Sequence, residues 1–294
     1  MNTLFTRSLK MQIPSSSIRL FILLTTLLHV SQAKEPYPLN VYASMGGLEK
    51  KPEESIKLLE QHGYAGVVTN TKTFDKYQRA GLPNEKLNIT AHYMIYDFAV
   101  DKSNSKIKTN IDLLAGSKID LWIIFKITDG KRVSQGEFMK LIKGVLPYAK
   151  QKKVRISIYP HIGDKHLFTT AKQLIPIVHK INHPNLGLCL HLYHERSIKN
   201  EWSKLFKQAG DKVFAVTVTD WEKGMQGKEY SPLVNDGDDL LKSWVKTIAN
   251  SGYNGDITWL NWRVDKSSGK SPKEYIGPSM KAWKALCKEH TLLK

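Results

Sequence analysis

Two spacings of apolar residues succeed one another repeatedly along this chain. Short, continuous apolar runs suit strands covered on both faces. Each is followed by a stretch with apolar residues three and four apart, as in a helix with one buried face. Residues 39–46 form the first run, and Pro52 then suits the first turn of a helix that carries Ile56 and Leu59 and stops at Gly63. Residues 64–71, 87–96 and 119–126 read as the next three strands. Between them lie a short helical piece at 74–79 and a helix marked by Ile107, Ile111 and Leu114, with Gly116 past its end.

The second half continues the alternation. Ser134 and Glu137 form a capping-box pattern ahead of Phe138, Leu141, Ile142 and Val145. Pro147 is expected to kink or shorten that helix, since it lacks the N–H that a helix interior uses. Strands follow at 154–159, 186–192, 212–219 and 256–261, with helices at 169–181 and 198–206 and around Leu240, Leu241, Trp244 and Ile248. Pro278 is expected to open a last helix through Met280, Trp283 and Leu286. Eight strand-then-helix units over about 260 residues match the length of a (β/α)8 TIM barrel. With right-handed crossovers the alternative is an open doubly wound sheet, but no G-x-G-x-x-G follows the first strand. The expectation is an α/β chain with one barrel domain over residues 34–294.

Residues 1–33 stand outside this pattern. They contain no acidic group; Arg7, Lys10 and Arg19 precede an apolar run at 20–28, and Ser31-Gln32-Ala33 closes the segment. That is the order of a signal peptide, and the run is shorter than the ~20 residues of a membrane span. Cleavage after Ala33 and an exported, periplasmic or secreted protein are expected, with no membrane association afterwards; an anchoring helix is the alternative. The chain carries a net charge of +17, and without the three leader cations 41 basic residues face 27 acidic ones. Such a charge raises the question of nucleic acid, but the lysines are scattered, and no nucleic-acid partner is expected. Two cysteines, Cys189 and Cys287, are too few for a disulfide framework.

Candidate chemistry gathers where the predicted strands stop, which in a barrel is the face that carries active sites. His161 ends the fifth strand, and His191 and His194 end the sixth. Imidazoles on neighbouring strand ends can shuttle protons or ligate a divalent metal such as zinc, manganese or magnesium. Asp220, after strand seven, can bind metal, hold a histidine tautomer, act as a base or cap a turn. Lys126 ends strand four, where an ammonium in apolar surroundings needs a partner. Tyr159, Trp259, Asn261 and Trp262 supply aromatic and amide groups suited to a sugar ring. No P-loop, C-x-x-C, H-E-x-x-H or G-x-S-x-G occurs, which removes several nucleotide-binding and hydrolase classes.

Four pieces together resemble the xylose isomerase-like TIM barrels, the sugar phosphate isomerase/epimerase and AP endonuclease family 2 group. They are Tyr159-Pro160-His161-x-Gly163, the run from His183 to Leu188, His191-x-x-His194, and Gly252-Tyr253-Asn254-Gly255. The resemblance extends over roughly residues 39–286. It implies a barrel and a small-molecule carbohydrate partner. The family's metal site takes Glu, Asp, His and Glu after strands five to eight, and the matching positions here are Tyr159, His191, Thr217 and Leu260 or Asn261. The chain thus resembles a divergent branch in which a metal is either rebuilt from His161, His191 and His194 or lost.

The expected activity is isomerisation or epimerisation of a non-phosphorylated sugar or keto-sugar by enolisation. His161 and His194 would serve the carbonyl, Asp220 or Lys126 would move the proton, and Tyr159, Trp259, Asn261 and Trp262 would bind substrate. A keto-glycoside lyase or hydratase would use the same enolate logic. A sugar-binding barrel without catalysis and a DNA-repair-type endonuclease are the alternatives from other classes.

Overall fold

The apolar runs become strands because only a parallel sheet covered on both faces buries them completely. The computed structural model describes residues 37–44, 48–101, 103–130, 132–220, 222–223, 229–230, 239–264, 268–290 and 292. Eight parallel strands close on themselves: β1 (Leu39–Tyr42), β2 (Gly66–Asn70), β3 (Asn88–Asp97), β4 (Asp120–Lys126), β5 (Ile156–Ile158), β6 (Leu186–His191), β7 (Val213–Val218) and β8 (Asp256–Trp259). Each pairs with its neighbour in the chain, and β8 returns to β1. The helices between them are α1 (Pro52–His62), α2 (Phe74–Arg79), α3 (Ser105–Leu113), α4 (Gln135–Gln151), α5 (Ala171–Ile181), α6 (Trp202–Ala209), α7 (Asp239–Ser251) and α8 (Pro272–Glu289). This is a single-domain (β/α)8 barrel, as the alternation predicts. The leader pattern of residues 1–33 falls outside the described residues.

Period-2 alternation sorts the strand residues into two cores. Leu39, Val41, Ile123, Leu188, Val216 and Trp259 face outward into the large core under the helices. Tyr42, Val68, Ala91, Trp122, Ile124, Tyr159, Cys189 and Ala215 form the second cluster, inside the barrel. Trp202 of α6 and Trp244 of α7, ring centroids 3.7 Å apart, seal one helix pair over the outer core.

Three local expectations change. The last helix begins at Pro272, where Ser271 and Glu274 form a capping box, so Pro278 lies inside it. Pro147 likewise sits inside α4, which runs on to Gln151. One ladder bond lost to a proline is outweighed by the buried face of Phe138, Ile142, Val145, Leu146 and Ala149. The helix expected from residue 198 is preceded by a 3-10 stretch, Leu192–Glu201, and the α-helix starts at Trp202.

Candidate functional site

The mouth of the barrel is built by residues that follow the strand ends. Tyr159 comes directly after β5, and its N–H donates to the Ile123 carbonyl, so pairing with β4 extends to it. The chain then folds back: His161 N–H donates to Phe168, Ile127 N–H to Lys165, and Leu167 N–H to Phe125. This returning loop makes an antiparallel bridge between Lys126 and His166. Gly163 allows it, with φ of 113°, a region closed to most side chains. His166 is thereby laid on His161, ring centroids 4.3 Å apart.

From the other side, β6 delivers His191 and the 3-10 turn after it delivers His194. Their rings lie 4.0 Å apart, and His194 lies 4.3 Å from His161. Four imidazoles therefore stand in a row in the order His191, His194, His161, His166. Tyr159 covers the row, stacked on His191 at 5.7 Å and 20°. His191 and His194 are buried, while His161 and His166 are partly open.

Burial holds these rings neutral. Desolvation is the first cause at every one of them, and neighbouring imidazoles add to it at His166, His191 and His194. His166 is pushed down to about 4 and His191 to about 3, while His161 and His194 are also lowered, His194 furthest. The Lys126 charge adds to the effect at His161 and His166. Hydrogen bonds fix two of the tautomers. His161 Nδ1 lies 3.0 Å from the Ile162 carbonyl, to which only an N–H can donate, leaving a lone pair on Nε2. Conversely, the Tyr193 N–H donates to His191 Nδ1 at 3.1 Å, so the neutral His191 ring carries its proton on Nε2.

A cavity of about 370 Å³ opens over this row. Tyr42, Tyr93, Tyr159, Tyr193 and Trp262 give it aromatic walls, and Ile124, Ile162 and Leu260 apolar ones. His161 and His194 are the ionisable imidazoles in its lining, which among the described residues includes no carboxylate, ammonium or guanidinium. Tyr42 and Tyr159 meet at their hydroxyls, 3.4 Å apart, and burial pushes both phenols well above their usual range. The Tyr93 hydroxyl is held by Asn70 Nδ2 at 2.9 Å and Ser44 Oγ at 3.0 Å. Larger hollows lie elsewhere, among them one of about 850 Å³ beside α4 and one of about 600 Å³ at the opposite end of the barrel; their rims are charged, and among the described residues no imidazole lines either.

Of the residues singled out from sequence, Tyr159, His161, His194 and Trp262 line this cavity, and His191 lies directly beneath. Lys126 is half-buried at the rim beside His166. Three candidates do not reach the cavity. Trp259 is fully buried on the outward side of β8, against Tyr275 of α8, because its strand parity points away from the axis. Asn261 shares that parity and is fully buried. Asp220 is buried just past β7, outside the cavity lining. Tyr42, Tyr93, Tyr193 and His166 were not picked out from sequence. Tyr42 and Tyr93 were legible as tyrosines on predicted strands, but His166 reaches the site only through the fold-back of its loop.

The metal expected from His161, His191 and His194 does not suit this arrangement. Ligation through His191 Nε2 needs a lone pair on an atom that its tautomer protonates. The Nδ1 atoms of His161 and His191 are likewise engaged, with the Ile162 carbonyl and the Tyr193 N–H. Among the described residues no three His, Cys, Asp or Glu groups could hold a metal ion.

The family model for xylose isomerase-like TIM barrels matches residues 100–286. No curated protein sequence matches the chain. Among solved structures, a xylose isomerase-like TIM barrel/4-hydroxyphenylpyruvate dioxygenase fusion protein superposes with a TM-score of 0.67 at 14% identity. That alignment covers 88% of this chain and 45% of the fusion protein, so the chain spans less than half of that relative. The IolI protein with a bound zinc atom gives 0.67 at 16% identity over 86% of this chain and 99% of its own. D-psicose 3-epimerase with D-tagatose, from Clostridium cellulolyticum H10, gives 0.61 at 11% identity over 87% and 99%.

Proposed function

We propose that this chain, which belongs to the xylose isomerase-like TIM barrel family, acts on a neutral, non-phosphorylated sugar or keto-sugar by proton transfer at the barrel mouth. One observation carries the reading: an aromatic cavity of about 370 Å³ whose imidazoles among the described residues, His161 and His194, are held neutral. Aromatic faces suit the C–H surface of a sugar ring. Among the described lining residues no cation stands ready to pair with a phosphate or carboxylate, and Arg196 and Arg263 instead stack on the Tyr193 and Trp262 rings. The sugar epimerases among the structural neighbours support the same substrate class.

His161 Nε2, with its free lone pair, is the base that takes a proton from the carbon beside a carbonyl. The Tyr42 and Tyr159 phenols, which burial keeps protonated, donate to the oxygen on which negative charge develops. His194, between His161 and His191, completes the polar wall on which the substrate rests. No step is assigned to a metal, because the donor set does not fit one. The leader pattern of residues 1–33 supports export, which favours unphosphorylated substrates.

The test is a panel of free sugars, keto-sugars and keto-glycosides incubated with chelator-treated protein, with product analysis. Conversion of any member supports the reading, and inertness across the panel contradicts it. The family resemblance places Tyr159, His191, Thr217 and Leu260 or Asn261 where the family has its ligands, which favours a second reading, a sugar-binding barrel without catalysis. Tight binding with unchanged sugar after long incubation would establish that one instead.

A further inference from the structure

The 3-10 stretch Leu192–Glu201 carries His194 into the cavity, and its form needs support from outside. Such helices seldom run beyond about three or four residues, because their hydrogen bonds are poorly aligned. Here ten residues are joined across a kink at Ile198, φ −116° and ψ 28°. Neighbouring residues of the stretch serve opposite sides. Tyr193 and His194 line the cavity, and Arg196 folds over the Tyr193 ring, 3.9 Å from its centroid. Glu195, between them, is fully buried and reaches away from the cavity to α5.

Two helices grip Glu195. The Ala171 N–H, first in α5, donates to its Oε1 at 2.6 Å, and the Trp202 Nε1–H, at the start of α6, donates to its carbonyl at 2.8 Å. Both donors are firmly seated: Ala171 is fully buried, and Trp202 packs on Trp244. Farther along, Lys172 Nζ reaches Glu201 at 2.9 Å, a second tie to the first turn of α5, but an exposed pair of this kind contributes little. The Ala171 bond is the firmer one. Hydrogen bonds to a carboxylate are short and strong, and the positive end of the α5 dipole favours the anion. Burial pushes the carboxyl up to about 7, with the Ala171 N–H working against the rise. An apolar side chain of similar volume would avoid that desolvation altogether. What the carboxylate adds is direction, a fixed bond that sets where the turn stands and where the preceding ring points.

We propose that Glu195 is the positioning residue of the cavity wall: by accepting the Ala171 N–H of α5 it fixes the turn that holds His194 between His161 and His191. A side chain buried behind the wall thereby sets the polar surface that a sugar meets. This role rests on the reading of the cavity as the sugar site, but the placement of His194 is measurable with no sugar present.

The test is NMR of protein carrying isotope-labelled histidine, with the His194 ring signals identified by their loss in His194→Gln. Glu195→Met removes the acceptor at similar size and should move those signals. Glu195→Gln keeps an oxygen for the Ala171 N–H and should return them to the parent position. Ala171→Pro deletes the donor from the other side. Proline suits the first position of a helix, and Thr170, at φ −140° and ψ 154°, already has the extended backbone that precedes one. This variant should reproduce the Glu195→Met spectrum. Trp259→Ala, destabilised from the outer core, is the control in which the His194 signals stay in place. If Glu195→Met and Ala171→Pro lower Tm yet leave the His194 signals at the parent position, Glu195 merely caps α5 and the proposal is overturned. It is overturned equally if Glu195→Gln moves the signals as far as Glu195→Met, or if both disrupting variants fail to fold. On a sugar that turns over, Glu195→Met should lower kcat about 10²-fold, the effect of a displacement of about 1 Å, with Glu195→Gln near the parent. A sugar panel without turnover counts against the sugar reading alone and leaves the NMR result standing.

Discussion

The Tyr193 N–H donates to His191 Nδ1 over 3.1 Å, and that single bond decides which side of the imidazole carries its proton. On the neighbouring loop the opposite holds, because His161 gives its Nδ1–H to the Ile162 carbonyl and keeps the Nε2 lone pair. Two histidines that look alike in the sequence are thus a fixed donor and a fixed acceptor.

The acceptor role makes His161→Gln informative. Turnover on a responsive sugar should fall by about 10²–10⁴, the usual worth of a positioned general base. Melting should barely change, since His161 is only partly buried and its ring bonds a local carbonyl. Parallel kinetics and calorimetry check this; an equal loss of fold and activity would assign His161 to structure.

Trp259 and Trp262 should separate cleanly. Trp259→Ala empties a fully buried site in the outer core and should destabilise by about 3–5 kcal/mol. Sugar affinity of the folded fraction should be unchanged. Trp262→Ala should leave the denaturation midpoint nearly unmoved and weaken sugar binding roughly tenfold, about 1.4 kcal/mol. Denaturant titration and calorimetric binding on both variants check the pair.

Acid should weaken the fold through the histidine row. Imidazole pKa values lowered on folding mean that the native state binds fewer protons than the unfolded chain. Their contribution is fully present above the unfolded value near 6.5 and is lost as pH falls towards the native values of about 4 for His166 and about 3 for His191. Buried Glu195, raised to about 7, and Asp120, raised to about 6, act oppositely: their contribution is present at low pH and lost as pH rises through those values. The histidine part is isolated by comparison. Between pH 7 and 4.5 the parent should lose more Tm than His194→Gln, which removes one such ring.

Much of the architecture was legible because strand and helix differ in period, and Ala-poor, β-branched runs such as 119–126 admit one reading. Helix starts were less legible. Pro278 looked like a first-turn proline, but Ser271 with Glu274 supplied a stronger start seven residues earlier. At the site, parity on β5 and β6 placed Tyr159 and His191, and the same rule turned Trp259 outward. Applied to strand eight, it puts Leu260 rather than Asn261 at the cavity. His166 was beyond any periodic argument, because a loop that returns on β4 sets its position. Tautomers were equally out of reach, since they depend on which backbone group meets each ring.

Metal removal provides a further check. Exhaustive chelation should leave both Tm and sugar binding unchanged, because the His191 Nε2 that a ligand set would need carries a proton. A Tm that drops on chelation and recovers with zinc or manganese would show that the rings rearrange around an ion.

Proton transfer at the neutral histidine row is tested most directly by deuterium uptake. Chelator-treated protein is incubated with keto-sugars in D₂O, and the carbon next to the carbonyl is followed by NMR. Deuterium should enter that position with the parent protein and fail to enter with His161→Gln. Uptake that is equal in both proteins, or absent from every sugar that binds, would contradict His161 as the base.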